Sequence, residues 1–154
     1  MRQALWLAKI NSASIRFVFT LDLSAKAQEL IAECSTDEST VVSAARDRLT
    51  LLVEDARKEG VAADCDVVVG KNWLELIRQV LRNGHELVVA ATRHLGTLPR
   101  LLLGSTGIKL LRKCPVPVWI TLPQESKEIK SILVAHDLHT VGDLAMELGC
   151  SMAE

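Results

Sequence analysis

Apolar residues along this chain fall into two patterns that take turns: short unbroken runs, and longer stretches in which apolar positions recur every three or four residues. Ile15 to Leu23 (IRFVFTLDL), Cys65 to Val69 (CDVVV), Glu86 to Ala91, Val116 to Leu122 and Ile132 onward (ILVAHDL) read as strands, rich in β-branched and aromatic side chains. The helical pattern comes between them. Residues 2–10, with Leu5, Trp6 and Ala8, predict a short helix. Val42, Ala45, Leu49, Leu52, Val53 and Ala56 mark one face of a long helix, opened by the capping-box pair Ser35 and Glu38 and closed by Gly60. Leu74, Ile77, Val80 and Leu81 point inward from a helix over Trp73 to Asn83 that stops at Gly84; further helices are expected over Ser105 to Lys113 and from Val141 onward. Such alternation predicts an α/β fold, a parallel sheet with right-handed crossovers and helices on both faces. The unbroken run Leu87 to Ala90 is the signature of a strand covered on both sides.

Composition narrows the class. Apolar residues make up 49% of the 154, which excludes a disordered chain and is enough to fill one compact core. A formal net charge of −1 provides no field to draw in nucleic acid or an anionic membrane, so neither is expected as a partner. Cys34, Cys65, Cys114 and Cys150 form no CxxC pair and no zinc-type spacing to histidine, so reduced and mostly buried thiols are expected. The first residues, MRQALWLAKINSASIRF, are too polar for the apolar centre of a signal peptide, and no apolar run approaches membrane-spanning length. The expectation is a soluble cytoplasmic protein.

Candidate chemistry concentrates between His85 and Ile120. Gly104-Ser105-Thr106 stands at a helix start, where unpaired backbone N–H groups and the helix dipole favour an anion such as phosphate. The plainer role for Ser105 and Thr106 is helix capping, and for Arg93 a solvated loop charge. Arg93 and Arg100 flank the same loop and could support an anion there. His94, His136 and His139 raise the question of a metal, but adjacent strand positions face opposite ways, so His136 and Asp137 are poorly placed to share one ion. A hydrolytic triad of Ser105, His94 and Asp137 lacks the G-x-S-x-G elbow such a nucleophile needs.

LVVAATRHLGTLPRLLLGSTGIKLLRKCPVPVWI, from Leu87, together with VVVGKNWLELIRQVL, from Val67, resembles the universal stress protein family. The segment from Arg112 to Val118 is especially similar to its tandem-domain members. The resemblance implies an open, Rossmann-like five-stranded parallel sheet of the adenine nucleotide alpha hydrolase type, in order 3-2-1-4-5. Nucleotide-binding members of the family carry two spaced glycines and then Gly-Ser or Gly-Thr. Here those positions are Ala91, His94, Gly104 and Ser105, so the last two match and the first two do not. A β-carbon at His94 occupies space that a bare glycine leaves to phosphate. The family's aspartate beside the adenine corresponds to Asp137.

By the same resemblance the chain begins inside the family's first helix, and what resembles the first strand and helix comes last. The expected organisation is a universal stress domain over 1–122 without its first strand, a linker over 123–130, and a strand–helix unit over 131–154. The repeated pattern of Ala4 to Ala8 and Ala145 to Gly149 hints at a tandem origin. The missing strand is the central one, so residues 131–154 are expected to complete the sheet, either of their own chain or by exchange in a homodimer. The linker spans about 26 Å at most, and parallel crossovers usually need about a dozen residues or more, which favours exchange. The apolar edge over 116–120 is a second candidate dimer contact. The function expected is a non-catalytic binding or regulatory module of the stress response. An ATP-binding protein with slow hydrolysis is the alternative; its candidate site is Gly104, Ser105, Thr106, Arg93, His94 and Asp137. An assembly-only piece of a tandem protein is the third reading.

Overall fold

The computed structural model describes residues 1–23, 37–91, 104–121, 130–136 and 138–153. The described elements are α1 (Arg2–Ile10), β1 (Ile15–Leu21), α2 (Glu38–Lys58), β2 (Ala63–Val69), α3 (Asn72–Asn83), β3 (Val88–Ala91), α4 (Ser105–Lys113), β4 (Val118–Thr121) and α5 (Thr140–Ser151). They divide into two units, 1–124 and 125–154.

The first unit is built on two parallel pairs, β1 with β2 and β3 with β4. In the first pair Ile15 lies opposite Ala63 and Leu21 opposite Val69. Side chains alternate across the pair. Ile15, Phe17 and Cys65 pack on a core of Leu5 and Ala8 from α1, Val53 and Ala56 from α2, and Val61 and Ala63. On the other face Arg16 donates two hydrogen bonds to Asp64, at 2.8 and 2.6 Å, and Asp66 accepts from Gln79 of α3 at 3.1 Å. Helix α3 contacts both β1 and α4, while α4 contacts β4, so these two helices link the strand pairs. Leu110 of α4, 1% exposed, is the most completely buried large side chain of the described chain.

Four sequence expectations are corrected. Helix α2 starts at Glu38 with Asp37 as its cap, the carboxylate accepting from the Thr40 N–H at 2.7 Å. Glu38 is therefore the first helical residue, where it cannot close a capping box; Ser35 lies outside the described residues. Leu81 is exposed, and Gln79 is buried in its place, held by Asp66 on one side and Asn83 on the other. Strand β3 alternates between half-buried and exposed instead of being covered throughout, because among the described residues only β4 pairs with it. Cys65 and Cys114 are half-buried and Cys150 is exposed, all three free, so the described thiols are less buried than expected; Cys34 lies outside the described residues.

In the second unit residues 131–136 form no described strand. Val134 instead lies against Gly149 of α5, where an added β-carbon would come within 2.4 Å of the valine Cγ2. The His136 ring accepts from the Leu138 N–H at 2.8 Å through Nδ1 and meets Asp143 at 3.0 Å through Nε2.

Two predictions follow from this frame. Hydrogen bonding to Arg16 holds the Asp64 carboxyl below its ordinary range, while in the unfolded chain it titrates normally. Its contribution to stability is therefore complete above the ordinary carboxylate value and is lost as pH falls through the lower, folded value. The Asp64 side chain is 52% exposed, which limits the pair to about 0.5 kcal/mol. Thermal melts into the acid range should show Asp64→Asn losing less stability than the parent across that window. Gly84 ends α3 at φ +66 with open space around its missing β-carbon, so Gly84→Ala should cost about 1 kcal/mol through the backbone alone, measured by urea unfolding.

Candidate functional site

In a parallel sheet every strand delivers its carboxyl end to the same edge, and ligands bind in the crevice beyond it. Here the chain leaving β1 and the turn leaving β2 emerge together, tied by the Gly70 N–H donating to the Leu21 carbonyl at 2.9 Å. A cleft of about 510 Å³ opens there. Asp22 and Leu23 line it from the chain just after β1, Gly70 and Lys71 from the turn, Asn72 and Trp73 from the first turn of α3, and Ser105, Thr106 and Lys109 from α4.

The β2–α3 turn depends on its glycine. Gly70 has φ +146, and an added β-carbon would stand 2.9 Å from the Glu75 side chain, so a larger residue meets both strain and a clash. Lys71 then caps α3 with no side-chain hydrogen bond, and the Asn72 Oδ1 is buried without a partner among the described residues.

Helix α4 begins with Gly104 as its cap, again with no side-chain cap. The first intrahelical bond at this end runs from the Ile108 N–H to the Gly104 carbonyl, at 3.1 Å. The N–H groups of Ser105, Thr106 and Gly107 precede it and have no helical acceptor. Capping therefore does not account for Ser105 and Thr106, which are the first two helical residues and face the cleft. Lys109 stands four residues after Ser105, on the same side of the helix. Its Nζ lies 5.5 Å from the centre of the Trp73 ring, and the Nζ of Lys113 lies 5.1 Å from the same centre. Two helix amino ends and the lysines Lys71 and Lys109 thus meet in one cleft opposite, among the described residues, a single carboxylate, Asp22, an arrangement suited to an anion.

Of the residues selected from sequence, Ser105 and Thr106 line this cleft and Gly104 stands at its margin as the helix cap. Arg93, His94 and Asp137 lie outside the described residues. Sequence reasoning missed Asp22, Lys71, Asn72, Trp73 and Lys109. The signal for most of them was present: Val69-Gly70-Lys71-Asn72 is a strand, a glycine and a helix start, the same grammar that drew attention to Gly104.

A family model described as the universal stress protein family matches residues 1–121. Universal stress protein E of Escherichia coli strain K12 is 30% identical over 145 residues, covering 90% of this chain and 45% of that protein. Universal stress protein E of Photorhabdus laumondii is 24% identical over 160 residues, covering 100% of this chain and 50% of its own length. The chain thus spans about half the length of the curated relatives it matches. A solved universal stress family structure from Burkholderia pseudomallei superposes with a TM-score of 0.52 at 25% identity, covering 78% of this chain and 82% of that one. A hypothetical protein whose biochemical function was assigned from its structure superposes with a TM-score of 0.62 at 17% identity, covering 81% and 89%, and shares the fold. With a family match over most of its length and parallel strands flanked by helices, this chain belongs to the universal stress protein family.

Proposed function

We propose that this chain is a non-catalytic binding module of the stress response that takes an anionic ligand in the cleft at the carboxyl ends of β1 and β2. The observation that carries this reading is the meeting of the amino ends of α3 and α4 with Lys71 and Lys109 around one cavity. Membership of the family supports the stress-response setting. The non-catalytic reading draws on the sequence: Ser105 follows Gly104 directly, without the G-x-S-x-G elbow that presents a serine nucleophile.

An adenine nucleotide is the more specific reading of the ligand. The volume suits a molecule of that size. Its phosphates would lie on the amides around Gly104, Ser105 and Thr106, with Arg93 in support and His94 beside them, and Asp137 would approach the base. ATP is the nucleotide to test, since Lys71 and Lys109 add positive charge to the helix ends.

We propose further that the sheet has five strands in the family's order 3-2-1-4-5, in which the central strand, the family's first, lies between β1 and β3, each of which pairs on one side only among the described residues. Phe19, Leu87 and Val89 are all more than a third exposed, which supports a place for further apolar cover. Residues 131–136 are the proposed occupant, from the same chain or exchanged from a second copy, and the strand ending at Thr121 offers a second dimer edge.

Two outcomes test these readings. Ser105→Asp places a carboxylate at a helix amino end, where it favours the helix but repels an anion, so folding should persist while ligand binding is lost. At ATP about 100-fold above its Kd the parent should gain about 2.7 kcal/mol, a rise of roughly 5–10 °C in Tm, and the variant should show no rise. An unchanged parent melt at millimolar ATP rejects the nucleotide. Deleting residues 129–154 should lower the melting temperature; a deletion as stable as the parent rejects the completing strand.

A further inference from the structure

The lysines beside Trp73 are arranged in a way that helix stability does not require. Lys109 and Lys113 are four residues apart on α4, a spacing at which like charges repel and weaken a helix. Both ammonium groups lie within 5.5 Å of the centre of one indole ring, which comes from a different helix, α3. An indole face attracts a cation, and the attraction strengthens as water is excluded. The two lysines nevertheless differ in position. Lys109 lines the cleft with Ser105 and Thr106, whereas Lys113 is at the carboxyl end of the helix, where a positive charge is favoured by the dipole, and it does not line the cleft.

We infer that Trp73 is the positioning residue of this cleft, its ring holding the Lys109 ammonium beside the open amides of α4 so that the lysine receives a phosphate group of the ligand. The inference rests on the anion-binding reading of the cleft and adds the residue that orders its cation. A free lysine side chain must lose the freedom of four rotatable bonds to meet a phosphate; against the ring it has already lost much of it, so less is lost on binding. The ring belongs to the first turn of α3, just after the constrained Gly70 turn. Lys109 is thus linked across two helices to the same turn that supplies Lys71. The ligand class this favours is a phosphate chain, since Lys71 and Lys109 approach from separate elements and a single small anion needs only one of them.

The test is calorimetric titration of the full chain with inorganic tripolyphosphate. The parent should bind it. Lys109→Met should weaken binding by about tenfold and Trp73→Leu by about fivefold, and the double variant should be no weaker than Lys109→Met alone, because Trp73 acts only through Lys109. Trp73→Phe, which keeps an aromatic face, should restore affinity to within about threefold of the parent, and Lys113→Met should stay within about twofold. A parent that does not bind tripolyphosphate overturns both the anion reading and this inference. A parent that binds while Trp73→Leu binds equally well, or loses affinity additively with Lys109→Met, overturns the positioning role alone. Should Trp73→Leu not fold, the decision passes to Trp73→Phe paired with Lys109→Met: sub-additive losses support the role, and additive losses reject it.

Discussion

The register of β1 against β2 is the constraint on which the rest of the first unit depends. With Ile15 opposite Ala63, every odd-numbered residue from Ile15 to Phe19 shares a face with Ala63, Cys65 and Val67, and that face meets the core from α1 and α2. A one-residue slip of β1 would turn Arg16 into that core and send Phe17 out of it, and a slip of β2 would instead turn in Asp64 and Asp66. Burying those charges without partners costs far more than a surface ion pair returns, so the register is strongly specified. Arg16 and Asp64 lie directly opposite each other, and their hydrogen bonds reinforce the alignment that apolar burial already selects.

The same register builds the site. Because β1 and β2 run parallel and end level, Asp22 and Lys71 leave the sheet side by side, and the Gly70 turn sends the chain directly into α3. Gln79, the buried polar side chain among the described residues, anchors that helix to Asp66. Helix α4 packs on α3 and β4, with Leu110 fully enclosed. Once the two helices are packed, their amino ends share one cleft.

Sheet architecture also accounts for what the strands leave open. Backbone groups along a strand need partners on both edges or water on one. Among the described residues β1 and β3 each use a single edge, and their apolar side chains are correspondingly more exposed than the unbroken runs in the sequence imply. In the second unit the apolar segment around Val134 satisfies part of its burial locally, against the bare backbone of Gly149. An apolar run can meet its need for cover from a helix as well as from a sheet, and periodicity alone does not distinguish the two.

The sequence by itself determined the order and type of the described elements apart from the segment around Val134. Strand runs, the stripe from Val42 to Ala56, and the stops at Gly60 and Gly84 are local properties of side-chain size, periodicity and backbone freedom, and they are legible without a fold. Gly104, Ser105 and Thr106 were legible for the same reason, since a helix start is a local event. Tertiary structure alone decided that Gln79 is buried while Leu81 is exposed, and that Lys71, Trp73 and Lys109 converge on Ser105. Those outcomes depend on which elements become neighbours. Trp73 and Lys109 lie thirty-six positions apart in the chain, and only the packing of α3 on α4 brings a ring and an ammonium together.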